Sequence, residues 1–267
     1  MRADAGDRTF RGQVGLTPGP TDTADCVPGG RLLVGTSGFA YPGWAPRFYP
    51  PDVRGDGLLR HYATHLPACE LNNTFYRQPS PSSVARWLAS TPPDFRFAVK
   101  AQRSGSLGAI AGDPVARLTW LTDPLRAFGD RLGTVLFRVP EGVPVDIGRL
   151  SVLLAAWPHD LPLTVELQDP SWHLDEVHDL LAGAGAALCA TDLPDGEAPP
   201  LLVTGPFLYL RLRRDDYPPN ELARWVERVR PFLEAGRDVF VFFRHDPVGR
   251  SAELALELRA AVVGARA

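Results

Sequence analysis

Two places in the chain concentrate groups able to do chemistry. Glu70-Leu-Asn-Asn-Thr-Phe-Tyr76 gathers a carboxylate, two carboxamides, a hydroxyl and two aromatic rings, and it holds two of the three asparagines. Rings and amides this dense beside an acid suit the lining of a ligand pocket, where a few placed polar groups orient a bound molecule. The second place is a single residue. The chain carries 27 arginines and one lysine, Lys100. A compact, titratable ammonium has been kept there, and a planar, permanently charged guanidinium does not share its chemistry. Beside Glu70 or Glu166, Lys100 suits acid–base work, whereas a desolvated lysine could equally form a Schiff base. A structural ion pair with a glutamate is the plain alternative.

The elements that must position these groups alternate regularly after residue 30. Strand-type runs cover Arg31–Thr36, Ala68–Asn72, Phe95–Ala101, Thr134–Val139, Leu163–Gln168, Ala186–Thr191, Phe207–Leu212 and Asp238–Phe243. Helix-type segments are expected over 56–66, 81–90, 114–128, 146–157, 175–182, 220–235 and 250–263. A proline-rich loop, and no clear helix, follows the sixth strand. Eight strands separated by helices at this length fit one α/β domain over 31–267, a (β/α)8 TIM-type barrel. A doubly wound open sheet is the competitor, but Gly35-Thr-Ser-Gly38 lacks its glycine-rich fingerprint. Residues 1–30, rich in Gly, Pro, Asp and Thr without periodicity, read as a disordered extension.

Alternation along each strand sorts the side chains into two faces. Phe95, Phe97 and Val99 oppose Arg96, Ala98 and Lys100. Leu163, Val165 and Leu167 oppose Thr164, Glu166 and Gln168, and Leu208, Leu210 and Leu212 oppose Phe207, Tyr209 and Arg211. The unbroken aliphatic faces should meet the helices, and the mixed faces should point into the barrel. The charged members, Glu70, Lys100, Arg138, Glu166, Arg211 and Arg244, all come late in their strands. That is the end at which barrel enzymes build their active sites. Cations outnumber carboxylates in this set, so the pocket should attract an anion, with Arg211 and Arg138 binding it and Asn72 orienting it. Phe39, Tyr41, Trp44, Phe48 and Tyr49 follow strand one; they either lid the pocket or plug the barrel top as a satellite core. Trp172, after strand five, invites the same two readings, and Tyr76 is taken as a further pocket ring. His245 beside Asp246 reads either as a base with its orienter or as ordinary surface.

Composition narrows the function class. A net charge of -3 argues against a dedicated nucleic-acid coat or a basic membrane patch. No apolar run approaches the roughly 18 residues of a membrane span, and the N-terminus lacks the apolar core of a secretory signal. Three scattered cysteines, Cys26, Cys69 and Cys189, make a disulfide framework a poor fit. The cytoplasm is the expected location. The loosely spaced His173 and His178 do not make a zinc site, and no His/Asp/Glu ligand set sits at the strand ends, so no metal is expected. The sequence names no cofactor.

Several ordered motifs resemble the YecE-like proteins, a group catalogued as a domain of unknown function. They are Val34-Gly-Thr-Ser-Gly-Phe-Ala-Tyr-Pro-Gly-Trp44 with Phe48-Tyr-Pro50, Glu70–Tyr76, Pro92-Pro-Asp-Phe-Arg-Phe-Ala-Val-Lys100, Leu132-Gly-Thr-Val-Leu-Phe137, Ser171-Trp172 and Tyr209-Leu-Arg211. The resemblance runs from Leu33 onward and implies a TIM-barrel-type fold with a polar cavity at its carboxyl end. It supplies no reaction. The chain departs from the family pattern at Arg138, where glutamine is expected, and at Gln168, where arginine is expected. If the two are neighbours, the guanidinium has changed strands. The expected function is thus an enzyme using a Lys100/Glu166/Glu70 acid–base pocket, without a metal, on a small polar anionic ligand. The alternative is a non-catalytic module binding a nucleotide, sugar phosphate or nucleic-acid end.

Overall fold

The computed structural model describes residues 29–264. The expected disordered extension lies, except for its last two residues, outside them. Eight parallel strands form the barrel wall: β1 Leu32–Thr36, β2 Ala68–Leu71, β3 Arg96–Lys100, β4 Leu132–Val139, β5 Leu163–Leu167, β6 Ala187–Asp192, β7 Leu208–Leu212 and β8 Val239–Phe243. They pair in the order β1-β8-β7-β6-β5-β4-β3-β2. The seam between β1 and β2 is closed only at its top, by a Ser37–Glu70 bridge and the Gly38 N–H donating to the Glu70 carbonyl at 2.7 Å. The barrel predicted from the alternation is therefore present and nearly closed.

The helices are α1 Asp56–His65, α2 Pro81–Ala89, α3 Arg103–Ala111, α4 Pro114–Thr122, α5 Ile147–Ala156, α6 Asp175–Gly183, α7 Pro219–Glu234 and α8 Arg250–Gly264. Their starts follow local chemistry. Pro81, Pro114 and Pro219 occupy first turns, where a missing N–H costs nothing. Ser80, Asp113 and Asp146 each accept a backbone N–H of the first turn. The loop after β6 contains no helix, as read from its prolines.

One stretch differs from the sequence reading. The single helix expected over 114–128 is α4 followed by a 3-10 stretch, Asp123–Arg131, and a separate helix, α3, precedes it. The glycines and serines of 103–108 carry weak helix propensity, which hid α3. Tertiary packing overrides it: a Cβ on Gly105 would lie 2.8 Å from the Trp120 ring and 2.9 Å from Leu121. Glycine is there so that α3 and α4 can touch.

The parity sorting holds throughout. Val99, Val165, Leu210 and Val241 join the core between sheet and helices. Ala98, Leu136, Tyr209, Phe240 and Phe242 form a second cluster inside the barrel. Small residues face large ones there: a Cβ on Gly133 would stand 2.9 Å from the Phe240 ring. With its lower layers filled, the barrel has room for function only at the carboxyl end.

Candidate functional site

Arg211, at the end of β7, is the centre of the mouth and is 3% exposed. Its Nε and Nη2 donate to Glu70 Oε2 and Oε1 at 3.0 and 2.8 Å, and Nη1 donates to Glu166 Oε1 at 2.6 Å. Glu70 also accepts from Ser37 Oγ at 2.7 Å and Tyr209 Oη at 2.8 Å. Both its oxygens are therefore engaged twice. Burial alone would raise its carboxyl, but Arg211, then Lys100 and the Ser37 hydrogen bond, bring it down to about 2.

Glu166 differs in one atom. Oε1 is held by Arg211 and, at 3.3 Å, by Thr191. Oε2 is buried and accepts no hydrogen bond among the described residues. Arg138 Nε stands 3.5 Å from it, within ion-pair range but outside hydrogen-bond geometry. Burial works against the Glu166 anion too, and Arg211 and Lys100 overcome it to hold the carboxyl below its usual value.

Lys100 ends β3 at 7% exposure. Its Nζ lies 4.3 Å from the centroid of the Phe75 ring, and no hydrogen bond or ion pair with a described residue occupies it. Burial, followed by the positive charge of Arg211, pulls its ammonium down to about 8 against the support of the two glutamates. Arg138 lies directly across the β4–β5 pairing from Glu166 and donates to Gln168 Oε1 through Nε at 2.8 Å and through Nη2. The exchanged arginine and glutamine of the family pattern are thus in contact, as expected if the guanidinium moved between strands.

Asn72 is half-buried beside Tyr41, whose hydroxyl donates to the Ser37 carbonyl at 3.0 Å. Burial pushes the Tyr41 phenol up to about 12. The pair lines a recess of about 190 Å³ above the β1–β2 seam. Three predicted rings are not in the mouth. Trp44 is fully buried with its Nε1 on the Asp246 carbonyl, stacked on Tyr49 and edge-on to Phe48. Trp172 is fully buried with its Nε1 on the Val143 carbonyl. Both are satellite core, because an indole whose N–H is satisfied and whose faces are covered offers nothing to a ligand. Tyr76 is 78% exposed and turns outward, and its neighbour Phe75 takes the place over Lys100.

His245 is exposed and stacks on Tyr41 at 5.4 Å, with burial and Arg213 lowering its imidazole. Asp246 does not orient it. Its carboxylate accepts the backbone N–H groups of Val248, Gly249, Arg250 and Ser251, capping α8. Arg244 turns to the rim, donating to Asp215 at 3.0 Å.

Sequence reasoning missed Arg213, half-buried with Nη1 3.5 Å from Ser37 Oγ. It stands two residues after Arg211, on the same face, and extending the alternation past the strand end finds it. Ser37 and Thr191 carried no comparable signal, and of the two rings in Glu70–Tyr76 it is Phe75, not Tyr76, that reaches Lys100. With Arg213 included, four cations (Lys100, Arg138, Arg211 and Arg213) face two carboxylates, leaving the mouth positive. The described residues contain no group of three or more His, Cys, Asp or Glu able to hold a metal ion. A separate hollow of about 860 Å³ is at the opposite end, between α5 and α6 around Trp157 and Leu180, away from these charges.

The fold and sequence have known counterparts. A DUF72 family protein from Thermotoga maritima superposes with a TM-score of 0.74 at 27% identity, over 85% of this chain and 97% of that one. Another from Enterococcus faecalis, at 21% identity, shares the fold with a TM-score of 0.72 over 86% of this chain and 95% of its own. The UPF0759 protein YunF of Bacillus subtilis is 28% identical over 143 residues, 49% of this chain and 50% of YunF. The match thus spans about half the length of that curated relative. Residues 33–266 match the family described as "Protein of unknown function DUF72", and the chain belongs to it.

Proposed function

We propose that the barrel mouth binds a small anionic molecule and that Lys100 performs acid–base chemistry on it. The observation carrying this reading is the chain's one lysine, buried at 7% exposure, held near pKa 8 and left without a polar partner among the described residues. An amine titrating near neutrality can both give and take a proton. Glu166, with one oxygen uncommitted, is its partner. Glu70 acts as the anchor, because four donors and a pKa near 2 leave it no proton to exchange around neutral pH. Arg138 and Arg213 attract the anion, Arg211 holds the two carboxylates apart, and Asn72 with Tyr41 orients the ligand's outer end. The chemistry uses the chain's own amine and carboxylate. The same reading takes the chain as a YecE-like member of its family, supported by the motifs from Val34 to Arg211. It also takes the protein as cytoplasmic, supported by two buried free thiols, Cys69 and Cys189.

The test is a thermal-shift screen of phosphorylated metabolites, sugars and nucleotides on the native protein and on Lys100→Met in parallel. A ligand at about 100 times its dissociation constant adds about 2.7 kcal/mol of stability, a readily measured shift. At least one anion should stabilise the native protein, and Lys100→Met should lose that response. An unchanged response in the variant overturns the assignment. Binding that needs Lys100 without any turnover assigns the site to a non-catalytic binding module.

A further inference from the structure

The barrel wall is split beside Glu166. β5 and β6 pair only at Thr164–Ala187 and Val165–Leu188, near their starts, and diverge above that point. No helix follows β6, so the split is roofed only by the proline-rich loop. The result is a chamber of about 410 Å³, within the range of small-molecule sites. Two kinds of side chain line it. Glu166, Arg138 and Gln168 reach it from the inward face, while Leu188, Leu193, Pro199, Pro200 and Leu202 line its β6 side, and His173 and His178 close it toward α6.

Glu166 lines this chamber, and its Oε2 has no hydrogen-bond donor among the described residues. Glu166 is 2% exposed, and a buried carboxylate oxygen with no donor is costly enough that its partner must come from elsewhere. Arg138, 3.5 Å away, has turned its Nε and Nη2 to Gln168. A donor arriving from the ligand satisfies the oxygen, and the leucines and prolines beyond it accept only apolar surface.

We propose that the ligand is amphipathic: an anionic head at Lys100 and Arg138, an adjacent hydroxyl or amine donating to Glu166 Oε2, and an apolar tail in the β5–β6 chamber. This rests on the anionic reading of the mouth. It narrows the ligand class to acids with a neighbouring hydrogen-bond donor and an aliphatic or aromatic body, and disfavours uniformly polar sugar phosphates.

Titration calorimetry on the full chain, with inorganic phosphate, 2-hydroxypropanoate, 2-hydroxyoctanoate and octanoate as probes, tests it. Affinity should rise about fourfold for each methylene that enters the chamber between the two hydroxy acids. Octanoate, which lacks the donor, should bind about tenfold more weakly than 2-hydroxyoctanoate. Ala190→Phe, which fills the chamber, and Leu193→Asp, at a position 54% exposed and so tolerant in folding, should both abolish the chain-length gain. If phosphate and 2-hydroxypropanoate bind but chain length has no effect, or if both variants keep the gain, the chamber proposal falls and the anion site stands. If octanoate matches its hydroxylated counterpart, the Glu166 contact is wrong. If no probe binds, the anion reading fails and takes this one with it.

Discussion

Arg211→Met is the most informative single change. In the native protein three guanidinium hydrogen bonds hold Glu70 and Glu166, both essentially without solvent. Methionine fills similar space but removes the charge, leaving two carboxylates buried close together. Breaking a buried ion pair by deleting one partner costs about 3–5 kcal/mol, since the stranded charge keeps its desolvation penalty and loses its compensation. For a protein of this size that is a fall in Tm of roughly 6–20 °C. The pH dependence separates this account from simple loss of packing. In the native protein the Glu70 carboxyl is depressed from 4.5 to about 2, so its stabilisation is present above 4.5 and lost as pH falls toward 2. In the variant, burial without Arg211 raises both carboxyls above their unfolded values. The penalty is then full at high pH and relieved as they protonate on acidification. Melting curves from pH 8 to pH 5 should therefore show the gap between native and variant closing. A gap that stays constant or widens toward pH 5 refutes the electrostatic reasoning, as does a loss below about 1 kcal/mol. Arg211→Lys should fall between the two, because a single ammonium cannot reproduce the three-bond fork.

Two further outcomes follow from the same geometry. Because Lys100 is lowered from 10.5 to about 8, anion affinity should be full below that pH and weaken as pH rises through it, more than two pH units earlier than an exposed lysine would allow; titrations of phosphate binding against pH measure this. Asp246→Ala should cost about 1–2 kcal/mol in chemical denaturation by removing the α8 cap, and should leave anion binding in place, since Asp246 touches no mouth residue's charge.

Strand period, and with it the inward set Glu70, Lys100, Arg138, Glu166 and Arg211, is legible in the residue order alone, because alternation in a strand is a local property of the backbone. So is the absence of a helix after β6, which proline chemistry dictates. α3 is not legible, since its glycines are explained only by Trp120 and Leu121 pressing on them from α4. The aromatic residues show the same limit. Trp44, Trp172 and Tyr76 are all large aromatics in loops after strands, and nothing local tells a ring that plugs a barrel rim from one that faces water.

The lone lysine and the strand-end charges were thus determined by the sequence, along with the barrel that gathers them. What tertiary structure alone decided is how those charges divide. Arg211 saturates Glu70 and takes one oxygen of Glu166, and Gln168 draws off Arg138. Lys100 and Glu166 Oε2 are what remain uncommitted. Such a division depends on distances of a few tenths of an ångström between side chains on five different strands. Residue order along one chain does not encode them; the packing of the whole barrel does.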